Sequence, residues 1–275
     1  MIARVFPRRT NATPDDEYAF VGAPGLFTPE DITEVHVSVT FTWDLSEAER
    51  LAAEWSRVAP VTTGGPATGT RGEEFVPGRY LKTGYVITSR GCPNRCWFCS
   101  VPKREGHGIR ELPVREGWNI LDDNLLACSQ GHILEVFQML HRQKEKGFRP
   151  EFTGGLEAKR LKPWHVELLK GLRPKQIFFA YDTQDDLPPL EEAARLFREA
   201  DYGTRNNLRS YVLIGYPGDT FTEAEARLET VKRLGICPMA MLYRDQEGKT
   251  TAEWRRFQTS WARPAAIYAK DRLAV

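Results

Sequence analysis

From Gly84 onward the chain alternates short β-branched or aromatic runs with amphipathic runs, and this alternation limits the fold more than any other feature. GYVITS (84–89), NILDDN (119–124), PEFTGGLE (150–157), QIFFAYD (176–182), RSYVLIGYPGD (209–219) and ICPMAMLYR (236–244) read as strands. Helices are predicted over 130–146, ending at Gly147, then over WHVELLKGL, PLEEAARLFREA and TEAEARLETVKRLG. In the last of these, Thr222 and Glu225 fit a capping box and Gly235 a C-terminal stop. Parallel strands need long crossovers, usually helical, so the pattern predicts β-α-β units and a parallel sheet, open or closed into a barrel. The first crossover, SVPKREGHGIRELPVREGW, holds glycines and Pro113 and is predicted to be mostly irregular.

Residues 1–80 read as a smaller α/β unit. EVHVSVTFTW (34–43) alternates Val35, Val37, Val39 and Phe41 with polar residues, which is strand periodicity. Ser46 and Glu49 fit a capping box opening a helix with Leu51, Ala52 and Trp55 on one face. PVTTGGPATG (60–69) follows as a strand running into a glycine turn.

Charge and composition exclude some roles. The net charge is +1, so no global field draws the chain to nucleic acid or an anionic membrane. No run approaches the roughly 18 apolar residues of a membrane span, and the start lacks a secretory pattern. The chain has 5 cysteines, of which Cys92, Cys96 and Cys99 crowd into RGCPNRCWFC. Crowded thiols in an odd total suit metal binding in a reducing cytoplasm better than a disulfide framework.

Parallel α/β folds gather binding groups at the C-terminal ends of their strands. Here those ends carry the cysteines, then Asp122, Asp123 and Asn124, then Gly154, Gly155 and Glu157, then Tyr181 and Asp182, then Gly215, Tyr216 and Pro217. Three thiolates on a short loop can wrap one side of an iron–sulfur cluster, which normally takes four. One iron then keeps an open position, as catalytic zinc does. A zinc site completed by His107 is the other reading of the same thiols. Cys128 and Cys237 read as small buried side chains rather than ligands of a second cluster.

GCPNRCWFC, with Phe98 before the third cysteine, resembles the cluster loop of the radical S-adenosylmethionine superfamily. The likeness covers about residues 82–245 and is nearest in style to the cobalamin-binding-domain-containing and MiaB/NifB-like branch. It implies a partial (β/α)6 TIM-like barrel preceded by a small N-terminal α/β, half-Rossmann-like unit. It also implies a [4Fe–4S] cluster on Cys92, Cys96 and Cys99 whose open iron chelates S-adenosylmethionine. Reductive cleavage of the sulfonium then yields a 5′-deoxyadenosyl radical that abstracts hydrogen from a substrate. The electron donor implied is of flavodoxin or ferredoxin type. By the same resemblance, Asp122, Asp123 and Asn124 orient the methionine end, Glu157 and Tyr181 lie near the ribose and carboxylate, and Gly215, Tyr216 and Pro217 neighbour the adenosine.

SVTFTWDLSEAERLAAEW with TTGGPATG resembles the second half of a cobalamin-binding domain, so residues 1–80 are expected to form a reduced cap over a core at 81–245. The Asp-x-His-x-x-Gly segment of that family is absent and His36 sits inside a strand, so cobalamin is not expected. His141 and His165, on predicted helices, are expected at the surface. The tail, 246–275, mixes Arg255, Arg256, Arg263 and Lys270 with Trp254, Phe257 and Trp261. It is expected to be an amphipathic helix closing the bottom of the barrel, and a nucleic-acid contact is its other use. The substrate, a small molecule or nucleotide-type compound, has no motif of its own here. The contrasting reading of the whole chain is a non-catalytic zinc or iron–sulfur protein that binds nucleic acid.

Overall fold

The computed structural model describes residues 1–203, 207–264 and 267–268, and its contacts divide the chain into two compact units, Met1–Gly117 and Trp118–Val275. Both are α/β with parallel sheets.

In the first unit β1 (Ile2–Phe6), β2 (Ala19–Val21), β3 (Glu34–Ser38), α1 (Leu45–Trp55) and β4 (Val61–Gly64) build a parallel sheet in the order β2-β1-β3-β4. The expected strand, helix, strand and glycine turn are β3, α1, β4 and Gly65. Gly65 has φ +114°, and a Cβ there would stand 2.5 Å from the Val39 carbonyl oxygen, so only glycine allows this close return. Two strands were not expected, and β1 occupies an interior position of the sheet. Its Ala3 and Val5 face the core with Val35, Val37, Leu51 and Trp55, while Arg4, on the opposite face, binds the Gly78 and Arg79 carbonyls at 3.1 and 3.2 Å. The helix start is also corrected. Asp44 holds the N-cap position, gripped by the Arg8 guanidinium, and Ser46 lies within the first turn. His36 is held by Tyr80 Oη on Nδ1 at 2.6 Å and by Glu34 on Nε2 at 2.7 Å.

After β4 come the short strands β5 (Tyr85–Val86) and β6 (Ser89–Arg90), then α2 (Val101–Glu105) and β7 (Arg110–Glu111). The expected strand over 84–89 is therefore two brief pieces. The crossover expected to be irregular contains one short helix and a strand that returns antiparallel on β6.

In the second unit β8 (Asn119–Ile120), α3 (Gln130–Glu145), β9 (Glu151–Phe152), α4 (Pro163–Leu172), β10 (Gln176–Tyr181), α5 (Leu187–Glu199), β11 (Leu208–Ile214), α6 (Phe221–Arg233) and β12 (Cys237–Leu242) follow the alternation read from the sequence. The strands lie parallel in chain order, β8-β9-β10-β11-β12, with a helix in every crossover. The cap of α6 is Thr220 rather than Thr222. Its hydroxyl accepts from Glu223 N at 3.2 Å and donates to the Glu223 carboxylate at 2.9 Å.

The tail forms α7 (Ala252–Ser260), and beyond it the Tyr268 ring centroid lies 5.9 Å from Lys232 Nζ in the last turn of α6, just before β12. Trp254 approaches Gly215 at the C-terminal end of β11, and Gln258 Nε2 donates to the Ala240 carbonyl in β12 at 3.2 Å. The helix thus runs back along that edge, with Trp254 and Phe257 packed on Phe221 at 4.3 and 5.5 Å. Lys270 lies outside the described residues. Among the described residues no helix is long and apolar enough to cross a membrane.

His165, expected at the surface, is only 2% exposed. Its Nδ1 accepts from Lys162 N at 3.0 Å, capping α4, and its Nε2 is buried without a hydrogen-bond partner. Burial, with the Lys162 charge adding to it, lowers its pKa to about 4 from the ordinary 6.5. Protonation therefore favours the unfolded chain. The stabilisation is complete above the unfolded pKa of about 6.5 and is lost as pH falls toward about 4, amounting to at most about 3 kcal/mol. Urea unfolding at pH 7.5 and 4.5 should show a larger acid loss for the wild type than for His165→Gln; equal losses would contradict this origin.

Candidate active site

The cysteine loop belongs to the first unit. Ser89 pairs with Glu111 and Arg90 with Arg110, and Leu112 N donates to the Thr88 carbonyl at 2.8 Å. Residues 91–109 are therefore an excursion closed at its base by a two-stranded ribbon, whose Thr88 and Ser89 are fully buried. Gly91 begins the excursion at φ +90°, and a Cβ there would lie 2.2 Å from the Gly108 carbonyl oxygen. The positive φ and the close approach both demand glycine, so the glycine before the first cysteine is where the two arms of the loop meet. Gly91→Ala is expected to cost about 1–3 kcal/mol; a thermal melt checks it, and an unchanged melting temperature would contradict the strain at this position.

Within the excursion Cys99 N donates to the Cys96 carbonyl at 3.1 Å, so the second and third cysteines are the ends of one backbone turn. Cys92 and Cys99 are half-buried and Cys96 is exposed. Phe98 meets Trp97 edge-on at 5.4 Å, and Trp97 is 54% exposed. Among the described residues no three Cys, His, Asp or Glu side chains converge to hold a single metal ion, and His107 is exposed. Zinc takes four donors around one ion and an iron–sulfur cluster takes its thiolates at separate irons, so the three thiols of this loop are donors of a kind that either can use.

The remaining candidates belong to the second unit, where the loops after its strands carry them. A Cβ on Gly154 would stand 2.8 Å from the Asp122 carbonyl oxygen, so the glycine lets the loop after β9 lie directly on the segment after β8. Asp122 and Asn124 are buried in that segment and Asp123 is half-buried. Asn124 Nδ2 donates to Glu157 Oε2 at 2.7 Å, and Arg160 Nε donates to the same oxygen at 2.6 Å. The structure thus joins Asn124 and Glu157 into one polar group, held from the far side by a cation.

Tyr181, at the end of β10, is 2% exposed and donates to Gln184 Oε1 at 3.2 Å; burial raises its phenol pKa. The next residue, Asp182, has the most distinctive electrostatics of the unit. Its Oδ1 accepts from Leu213 N of β11 at 3.1 Å. Burial, with the Asp186 charge adding to it, raises its pKa to about 7, against the opposing pull of the Leu213 N–H and Arg227. A carboxyl that titrates near neutrality at a strand end can hold or release a proton under working conditions. Sequence reading placed Asp182 at the rim without giving it a role. The available signal was the repeated acid in YDTQDD, since Asp186 turns back to accept from Asp182 N at 3.0 Å and Thr183 N at 2.8 Å.

Gly215, Tyr216 and Pro217 form a turn after β11. Gly215 has φ +70°, and a Cβ there would press within 3.0 Å of the Trp254 ring. Asp219, with its side chain fully buried, accepts from Gly215 N at 2.7 Å and from Arg227 Nη2 at 2.8 Å. The Arg227 guanidinium also donates to the Leu213 carbonyl at 3.0 Å and lies 5.3 Å from the Tyr216 ring centroid. Tyr216 is therefore backed by a cation fixed in place by a buried acid. Pro217 is exposed.

With these geometries in hand, the comparisons with known proteins add one signal. No protein-family model matches the chain. It is similar to the ribosomal protein uS12 methylthiotransferase RimO of Shewanella baltica strain OS155, 34% identical over 103 residues, which is 36% of this chain and 20% of the relative. The RimO proteins of Shewanella sp. strain W3-18-1 and of Shewanella oneidensis match over the same length, at 34% and 33% identity. The matched stretch spans about a fifth of the length of these curated relatives.

Proposed function

We propose that this chain is a radical S-adenosylmethionine enzyme of the cytoplasm, built as a partial barrel core over 81–245 with a reduced α/β cap before it and a helical tail after it. The observation that carries the reading is the cysteine excursion, three thiols on a loop closed by a ribbon and pinned by Gly91. The partial likeness to RimO supports the same class. Because that likeness covers about a fifth of RimO, the transfer of a methylthio group is not carried over with it.

When bound, a [4Fe–4S] cluster with one open iron would hold S-adenosylmethionine and supply the electron that cleaves its sulfonium. The chain's own residues have distinct tasks in this reading. Cys92, Cys96 and Cys99 supply the thiolates. Asp122, Asp123 and the Asn124–Glu157 pair accept from ammonium and hydroxyl donors of the ligand, for which charged acceptors are the stronger partners. Tyr216, backed by Arg227, offers a ring face to the adenine, and Asp182 is a carboxyl able to hold or release a proton at the end of β10. A one-electron donor of flavodoxin or ferredoxin type and a small-molecule or nucleotide-type substrate complete the proposal. Cobalamin has no part in it.

The test is anaerobic reconstitution of the full chain. Iron and sulfide near four each per chain, with 5′-deoxyadenosine formed from S-adenosylmethionine and dithionite, is the expected result. One zinc, no sulfide and no cleavage would overturn the reading in favour of a structural metal site.

A further inference from the structure

Glu105, the last residue of α2, has a side chain with no exposure to solvent. Its Oε1 accepts from Gly72 N and from Arg104 Nε, both at 3.0 Å, and lies 3.5 Å from Arg90 Nη1. Its Oε2 accepts from Arg110 Nη2 at 3.0 Å. The partners come from separate places: the segment before the ribbon, β6, α2 and β7. The ring is closed by further bonds, since Arg110 Nη2 donates to the Gly72 carbonyl at 2.5 Å and Arg90 Nε to the Glu73 carbonyl at 3.3 Å. Gly72 makes room for it, because a Cβ there would stand 2.5 Å from the Arg90 guanidinium carbon.

We propose that Glu105 is a positioning residue for the cysteine loop. It ties Arg90, two positions before Cys92, to Arg110 just beyond the excursion, and it is itself carried on the helix that follows Cys99. Both arms of the loop and its exit helix are thereby fixed to one buried carboxylate. A three-thiolate site has less binding energy available for ordering its own loop than a four-thiolate site. A loop ordered in advance by the fold removes that cost from metal binding. Burying a carboxylate is tolerated only when cations and N–H donors surround it, so removing the acid leaves guanidinium groups facing one another instead of a common partner.

The purpose assigned to this clamp rests on the cluster reading, but its existence can be measured without metal. Hydrogen exchange on the metal-free full chain should show the amides of 88–92 and 110–112 exchanging about tenfold faster or more in Glu105→Gln, with Val35 and Val37 in β3 unchanged. Arg110→Gln, whose parent side chain is 33% exposed, provides a second variant should the first fail to fold, and is expected to loosen the same amides. After reconstitution, Arg110→Gln should give a broadened electron paramagnetic resonance signal and lose iron to a chelator about tenfold faster. Wild-type exchange in Arg110→Gln, or exchange raised equally in β3, overturns the clamp. Loosened amides with a wild-type resonance signal and iron retention overturn its role toward the cluster. A wild type that binds no iron and sulfide overturns the cluster reading instead, and leaves the exchange result standing for the clamp alone.

Discussion

Cys96→Ala is expected to leave a folded chain that binds no cluster and cleaves no S-adenosylmethionine. Cys96 is exposed, and exposed substitutions usually change stability by within about 0.5 kcal/mol. Its thiolate, by contrast, is one of only three that can be offered from the loop, so its loss leaves a two-point attachment. Iron and sulfide should fall to background, the visible absorbance should vanish, and the rate of cofactor cleavage should drop by at least about a thousandfold. Far-UV circular dichroism and the melting temperature should stay at wild-type values, which separates loss of the site from loss of the fold. Cys92→Ala and Cys99→Ala should behave alike in iron content. Cys237→Ala serves as the control: that thiol is 1% exposed, sits 3.8 Å from the Pro238 carbonyl oxygen, and has its pKa raised by burial, which makes it a poor thiolate donor. Retained cleavage in Cys96→Ala would refute the assignment of the loop.

The contrast between Cys96 and its surroundings also explains which parts of the molecule could be read beforehand. A loop ligand set is written locally, in the spacing of three residues, and so are the apolar runs of β10, β11 and β12. The α/β class followed from that periodicity. β8 and β9 were read as longer strands and are two residues each, because the chain leaves the ladder where Gly154 brings one loop onto another. That departure depends on a contact between residues 122 and 154, which no local pattern records. β1 is only five residues long, and although Arg4 alternates with the core residues Ala3 and Val5 as a strand requires, its partners at Gly78 and Arg79 lie more than seventy positions away. The caps were misplaced by two positions at both α1 and α6. At α6 two threonines compete, and only the backbone shows that Thr220, at φ −118° and ψ 155°, is the extended one; at α1 Asp44 precedes Ser46 and is fixed by Arg8, far off in the sequence. Glu105 carries no local signal, since its partners at 72, 90, 104 and 110 meet only in the fold.

Arg227→Met is expected to be the most destabilising single change in the second unit among those touching the candidate site. The guanidinium has a side-chain exposure of 7% and its partner Asp219 has none. Removing the cation leaves a buried carboxylate facing apolar atoms, a loss that typically amounts to about 3–5 kcal/mol. Asp219 keeps its bonds from Gly215 N and Thr220 N, so part of the turn survives, but the acid is then satisfied by neutral donors alone, with its only charged partner among the described contacts gone. Equilibrium urea unfolding measures the loss directly. The double variant Arg227→Met with Asp219→Asn removes both charges and should recover at least about 1 kcal/mol relative to the sum of the single changes. The functional consequence follows from the same geometry. Without Arg227 the Tyr216 ring loses the cation 5.3 Å from its centroid, and the Gly215–Pro217 turn loses the support that holds it against β11. Binding of S-adenosylmethionine should weaken more than its cleavage slows once bound, giving a rise in KM larger than the fall in kcat. An Arg227→Met protein that unfolds within 1 kcal/mol of the wild type would show that the Asp219 pair is not what fixes this turn. A fall in kcat with KM unchanged would place Tyr216 outside the adenosine contact.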